Sequence, residues 1–204
     1  MPSRLAEVGF VAMLTVVTGA VVGTQSNLAS EAAGARLEKK LRAIVEQAAH
    51  LGPDATLTTL SQHEINAYLT YQGQSQLPTG ITEPFIRITG EERVSAEAVV
   101  DLNTVRDRRP RGWLDPFRYL VGQLEVTAAG TVHASERVAR VSVETVTVAG
   151  IPVPIQVLQE VVQYYTRTAA APNGTRLDEP IPLPYDISEI RLSSGVAVIV
   201  QTTR

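Results

Sequence analysis

The feature that most constrains this chain is a period-two alternation of apolar and polar residues over long stretches. In "RVSAEAVVDLNTV" (93–105), Val94, Ala96, Ala98, Val100 and Leu102 fall on one side, and Ser95, Glu97, Asp101 and Asn103 on the other. "GQLEVTAAGTVHA" (122–134) repeats the pattern with Leu124, Val126 and Ala128, then Val132 and Ala134. Successive side chains of a strand point to opposite faces, so each stretch predicts a strand with one apolar face. That pattern belongs to antiparallel sheets, because parallel strands are covered on both faces and read as continuous apolar runs. "RVSVETVTVAG" (140–150) continues the series, but its apolar phase slips by one between Val143 and Val146. The slip predicts a bulge and hence a bent strand. "SEIRLSSGVAVIVQT" (188–202) places Ile190, Leu192, Val196, Val198 and Val200 in one phase, with Ser193-Ser194-Gly195 read as a turn or bulge. These apolar faces are built largely of alanine and valine, which predicts a shallow, wide surface.

Three segments carry helical spacing instead. From 27 to 50, Leu37, Leu41, Ile44, Val45 and Ala48 recur at intervals of three and four, and Gly52-Pro53 ends the pattern. In "LSQHEINAYLTY" (60–71), Ser61 and Glu64 form an S-x-x-E capping box flanked by Leu60 and Ile65, predicting a short helix over 62–71. The third segment lies between two near-identical tetrapeptides, IPVP at 151–154 and IPLP at 181–184. Leu158, Val161, Val162 and Tyr165 make its stripe, broadened by Ile155, Val157 and Tyr164, while Gln156, Gln159, Glu160, Gln163 and Arg167 take the other face. Pro154 suits a first helical turn, and Pro180, Pro182 and Pro184 hold the returning chain extended. The expectation is one α+β domain over 27–204, a long antiparallel meander packed on or wrapped around amphipathic helices.

The chain of 204 residues is long enough to bury a core without disulfides or metals, and it has no cysteine. Its net charge of -3 argues against general nucleic-acid binding. Before the domain, Arg4 precedes an uncharged run from Val8 to Gly23. Sixteen residues of helix span about 24 Å, less than the roughly 30 Å of a bilayer's hydrocarbon. Residues 1–26 are therefore expected to be a signal peptide or N-terminal membrane anchor of an exported, periplasmic or extracytoplasmic protein.

Catalytic signatures are missing. "HEINA" begins like the zinc-protease H-E-x-x-H, but Ala67 stands where the second ligand should be, and Glu64 already has a capping role. His50, His63 and His133 share no ligand spacing, and no nucleophile with its base can be named. No enzyme activity, metal or cofactor is expected. One polar stretch is unusual. "RDRRPRGWLDPFRY" (106–119) combines Arg106, Arg108, Arg109, Arg111 and Arg118 with Trp113, Phe117 and Tyr119. Cations beside interfacial aromatics suit an anionic membrane surface, so Arg106, Arg108, Arg109, Arg111 and Trp113 are candidate membrane contacts. Asp107 and Asp115 favour the plainer alternative, a solvated connector between strands.

The succession "LTTLSQHEINAYL", "LPTGITEPFIRITGEERVSAEAVVDL", "GQLEVTAAGTVHA", "VTVAGIPVPIQVLQEVV" and "LPYDISEIRLSSGVAVIV" resembles bacterial exported members of the tubular lipid-binding (TULIP-like) superfamily. The resemblance covers most of 55–201, and the 106–119 insertion departs from it. It implies a strongly curved antiparallel sheet around a long helix, leaving an apolar groove for acyl chains. Such a protein would bind or carry a lipid or another elongated apolar molecule. The rival expectation is a structural or interaction domain of the cell envelope. For a groove, the helix candidates are Leu158, Val161, Val162 and Tyr165. The strand candidates are Val94, Val100, Leu102, Leu124, Val126, Val196 and Val198.

Overall fold

The computed structural model describes residues 31–50, 52, 54–101, 122–166, 173–174 and 176–203. The expected leader, Leu102 and the candidate membrane contacts Arg106, Arg108, Arg109, Arg111 and Trp113 lie outside the described residues, as do the side chains of Val161 and Tyr165. The described residues form an α+β fold with a nine-stranded antiparallel sheet and three α-helices. None of these helices is long and apolar enough to cross a membrane.

The chain begins with α1 (Glu31–Gln47), then β1 (Thr56–Ser61) and α2 (Gln62–Tyr71). Helix α2 has the bounds that its capping box predicts. Ser61 Oγ accepts from the Glu64 amide at 3.2 Å, and Glu64 Oε2 accepts from the Ser61 amide at 3.0 Å, so orphan donors at the helix start are satisfied. His63 is exposed in the first turn.

A meander follows: β2 (Ile81–Gly90), β3 (Arg93–Asp101), β4 (Gln123–Ser135) and β5 (Val138–Val148). The β2–β3 and β4–β5 turns place Glu91, Glu92, Glu136 and Arg137 at positive φ, the twist that two-residue hairpin loops favour. The register pairs Val94 with Gly130, Ala96 with Ala128, Ala98 with Val126 and Val100 with Leu124. The two alternating sequences thus share one apolar face, as the period predicts. The expected bulge is also present. Gly130 pairs with Val143 and Ala129 with Thr145, which leaves Glu144 extra on β5. Core-facing phase therefore passes from Val141 and Val143 to Val146 and Val148. Gly130 permits this, because a Cβ there would run into the Ser142 carbonyl oxygen across the bulge.

The twin tetrapeptides occupy the two ends of one edge. Ile151–Pro152 (β6) pairs with Thr147 and Val148 of β5, and Ile181–Pro182 (β7) pairs with Val138 and Ala139. Helix α3 (Ile155–Thr166) lies between them in the chain. Proline, lacking an N–H, is suited to such outer strands and discourages further pairing.

The final segment is a hairpin, β8 (Ile187–Ser193) and β9 (Val196–Gln201), turned at Ser194-Gly195. Strand β8 takes up the edge of β4 beyond the end of β3, through Ala134 and Ile190. The hairpin tip reaches β2, where the Gly195 amide donates to the Ile88 carbonyl at 2.8 Å. Here the structure corrects the sequence reading. A two-residue loop pairs Leu192 with Ala197 and Ile190 with Ile199, so the apolar phase switches across the turn. Ala197 and Ile199 join the main core, while Val196 and Val198 pair with Ser193 and Arg191 on the opposite face.

Candidate functional site

Apolar packing is divided into two unequal clusters. The larger joins Leu37 and Ile44 of α1, Tyr68 and Leu69 of α2, and Leu60, Ile86, Ile88, Val94, Ala134, Ala197 and Ile199 from the strands. The smaller sets Ala128 and Val146 against half-buried Val143, Val153, Ile155 and Leu158. Since Ala128 and Ala134 share the inner face of β4, a strand about 44 Å long at 3.4 Å per residue, the clusters occupy successive parts of one surface.

Two cavities run along that surface. An inner chamber of about 150 Å3 is lined by Leu37, Leu41, Leu60, Ile65, Tyr68, Val94, Val132, Ile190 and Ile199 of the larger cluster, together with Val141. An outer crevice of about 130 Å3 is lined by Ile81, Pro84, Phe85, Ala96, Ala98, Val100 and Val126, with Glu97 as its charged member. Leu69 and Ile86 line both. A dry apolar cavity of this size accepts a small apolar guest, whereas ligand pockets begin near about 300 Å3. Each cavity alone is below that range, and the two together approach it.

Local chemistry fixes the walls. Asn66, buried in α2, holds Ile86 at both backbone groups: its Oδ1 accepts from the Ile86 amide at 2.6 Å and its Nδ2 donates to the Ile86 carbonyl at 2.7 Å. Gln62 Oε1 accepts from the Ile88 amide at 2.8 Å. Two side chains of α2 therefore replace a neighbouring strand along part of β2. Further along, a register shift between Thr82 and Phe85, with Glu83 at positive φ, turns the edge where Pro84 and Phe85 border the crevice. The exposed Arg87 guanidinium lies 5.7 Å from the Phe85 ring centre, a cation over an aromatic face. Tyr68 accepts a 2.8 Å hydrogen bond from Gln76, and burial pushes its hydroxyl pKa up, so the phenol stays neutral.

Behind the chamber, Lys40 of α1 donates to both Glu64 carboxylate oxygens at 2.9 and 2.8 Å and to the Thr59 carbonyl at 2.7 Å. Burial raises the Glu64 pKa, but the hydrogen bonds from Lys40 and Ser61 and the Lys40 charge outweigh it. The carboxyl is left below its ordinary value.

Of the groove candidates, Val94 lines the chamber, and Val100 and Val126 line the crevice. Leu124 shares their face opposite Val100 without lining either cavity. Leu158 packs in the smaller cluster, and Val162 is half-buried outside both cavities. Among the described residues, α1 and α2 supply the helical walls of these two cavities, and Leu158 and Val162 of the helix between the tetrapeptides line neither. Val196 and Val198, on the opposite face, are excluded by the register. Leu69, Ile86 and Phe85 were missed by sequence reasoning. Their only signal was the capping box, which places Leu69 late in a short helix without saying what it meets.

Away from the cavities, His133 Nδ1 lies 2.7 Å from Glu92 Oε1 and its Nε2 lies 2.9 Å from Ser135 Oγ. The bonding order is that of a nucleophile relay, which the sequence did not reveal. The histidine and glutamate side chains are 54% and 49% exposed on open sheet surface, where water screens them, unlike a desolvated reaction centre. No metal-binding group of three or more His, Asp or Glu occurs among the described residues. No protein-family model matches the sequence, and no curated protein does.

Proposed function

We propose that this protein binds a lipid or another elongated apolar molecule in the crevice and chamber along the inner face of β2–β4. The observation that carries this reading is the succession of two apolar cavities sharing Leu69 and Ile86, where a closely packed domain would be filled. Small side chains favour it, since Ala96, Ala98, Val100 and Val126 leave space that larger residues would occupy. In this reading the sheet curves about α1 and α2, the β5 bulge supplies part of the bend, and the protein is a non-enzymatic carrier of the TULIP-like kind. Export, with residues 1–26 as signal peptide or anchor, would place it beside membrane lipids, and the arginine-rich 106–119 segment would meet an anionic membrane surface.

Mass spectrometry of organic extracts from the purified protein tests the reading. A stoichiometric apolar molecule is expected. An extract free of any such molecule, combined with no uptake of added fatty acid, would favour an envelope interaction domain instead.

A further inference from the structure

We propose that Ser135 is a self-acylation site, with His133 as its base and Glu92 as the residue that positions the base. The acyl donor is an ester or thioester with a good leaving group. The site lies on the sheet face opposite the apolar cavities and stands apart from the apolar-ligand reading.

Alternation along β4 sends Val132 and Ala134 into the core and leaves His133 and Ser135 together on the other face. The β2–β3 turn comes alongside, tied to β4 by the Val132 amide, which donates to the Glu92 carbonyl at 2.8 Å. The Glu92 carboxylate then lies 2.7 Å from His133 Nδ1. A carboxylate can only accept, so in the neutral imidazole the proton sits on Nδ1. The Nε2 lone pair is left facing Ser135 Oγ at 2.9 Å. The Ser135 hydroxyl therefore donates to a base that a second group already orients.

Ser135 also lines an open hollow of about 340 Å3 with Glu136, Arg137, Ser188 and Glu189. Most of these are engaged elsewhere. Ser188 donates its hydroxyl to the Val200 carbonyl at 3.2 Å, and Glu189 accepts from Arg191 at 2.8 Å. Arg137 donates to Asp186 at 2.9 Å and to the Thr202 carbonyl at 2.7 Å. The hollow thus combines room for a small donor with one hydroxyl set against a base. Exposure keeps that hydroxyl within reach, while screening by water makes its activation modest, which suits an activated ester better than an amide.

In the step, Ser135 Oγ adds to the carbonyl carbon as its proton passes to His133 Nε2. The adduct collapses, the bond from carbon to the leaving oxygen or sulfur breaks, and that atom takes the proton from Nε2. An acyl ester on Ser135 and a free alcohol, phenol or thiol result, with no redox change.

The test treats the full chain with p-nitrophenyl acetate and reads acetylation of each peptide by mass spectrometry after acid quench, with exposed Lys39 as internal reference. Acetyl should accumulate on Ser135 well ahead of Ser188, which lines the same hollow. His133→Gln should slow acetylation of Ser135 about a hundredfold relative to Lys39, the low end of what a general base contributes. Glu92→Gln should slow it by less, and Glu92→Asp should recover part of the rate, a graded rescue that a merely structural role would not give. His133 and Glu92 are both exposed, so these variants should fold, and circular dichroism checks that they do. Ser135 acetylated no faster than Ser188 in wild type, or at the wild-type rate in folded His133→Gln, would overturn the proposal.

Discussion

The two ends of the inner face of β4 are made from the same kinds of residue and end up in different states. At the Ala134 end, α1, α2 and the β8–β9 hairpin converge, and Leu37, Ile44, Ala134 and Ile199 are nearly inaccessible. At the Leu124 end, α3 covers Ala128 and Val146 through Ile155 and Leu158, and the neighbouring Val100, Leu124 and Val126 stay half-buried. The difference is in the covering layer, not in the strand. Helix α1 is anchored by Lys40 to Glu64 and Thr59, and by Gln201, whose Nε2 donates to the Ile44 carbonyl at 2.9 Å and the Tyr185 carbonyl at 2.8 Å. In helix α3, Ile155 and Leu158 pack on Ala128 and Val146, and Gln159 Oε1 accepts from the Leu177 amide at 2.8 Å. The tied layer encloses the larger cluster and its chamber, while the α3 end stays a small, half-buried cluster that lines neither cavity.

Substitutions can break that contrast in order of size. Leu37→Ala, at the tied end, should cost about 2–5 kcal/mol in chemical denaturation, since a fully buried leucine is removed from a closed cluster. Gly130→Ala should cost about 1–3 kcal/mol, because its Cβ meets the Ser142 carbonyl backbone at the bulge and one strand must shift. Leu158→Ala, at the half-buried end, should cost only about 1 kcal/mol. A loss at Leu158 equal to that at Leu37 would erase the distinction between the ends.

A smaller effect follows from charge. The Glu64 carboxyl titrates below its ordinary value of about 4.5 in the folded chain, so its contribution is fully present above that pH. It is lost as pH falls from there through the lowered folded value. Thermal melts of wild type should show this acid-side decline, and Glu64→Gln should reduce it. An identical decline in the variant would remove Lys40–Glu64 from the ties that distinguish the closed end.

The sequence displayed local structure well where one segment decided it. Ser61 and Glu64 marked the start of α2, alternation assigned the faces of β3 and β4, and the Val143–Val146 slip located the β5 bulge. It misled where two segments had to be combined. Val196 and Val198 continued the numerical parity of Ile190 and Leu192, but the Ser194-Gly195 loop pairs even positions with odd ones and reverses the phase. The tetrapeptides rightly bracketed α3, while their pairing to both ends of β5 required knowing which strand lay alongside. The cavity walls were least visible, because Leu69 and Ile86 meet across 17 positions through Asn66, a polar residue whose partner is backbone.

The most direct measurement is photolabelling with a fatty acid carrying a diazirine near its methyl end, mapped by peptide mass spectrometry. The account predicts labels concentrated on Leu69, Ile86, Ala98, Val100 and Val126, suppressed by excess unlabelled fatty acid. Labels spread over exposed apolar residues such as Leu57 and Ile151, and indifferent to competitor, would contradict it.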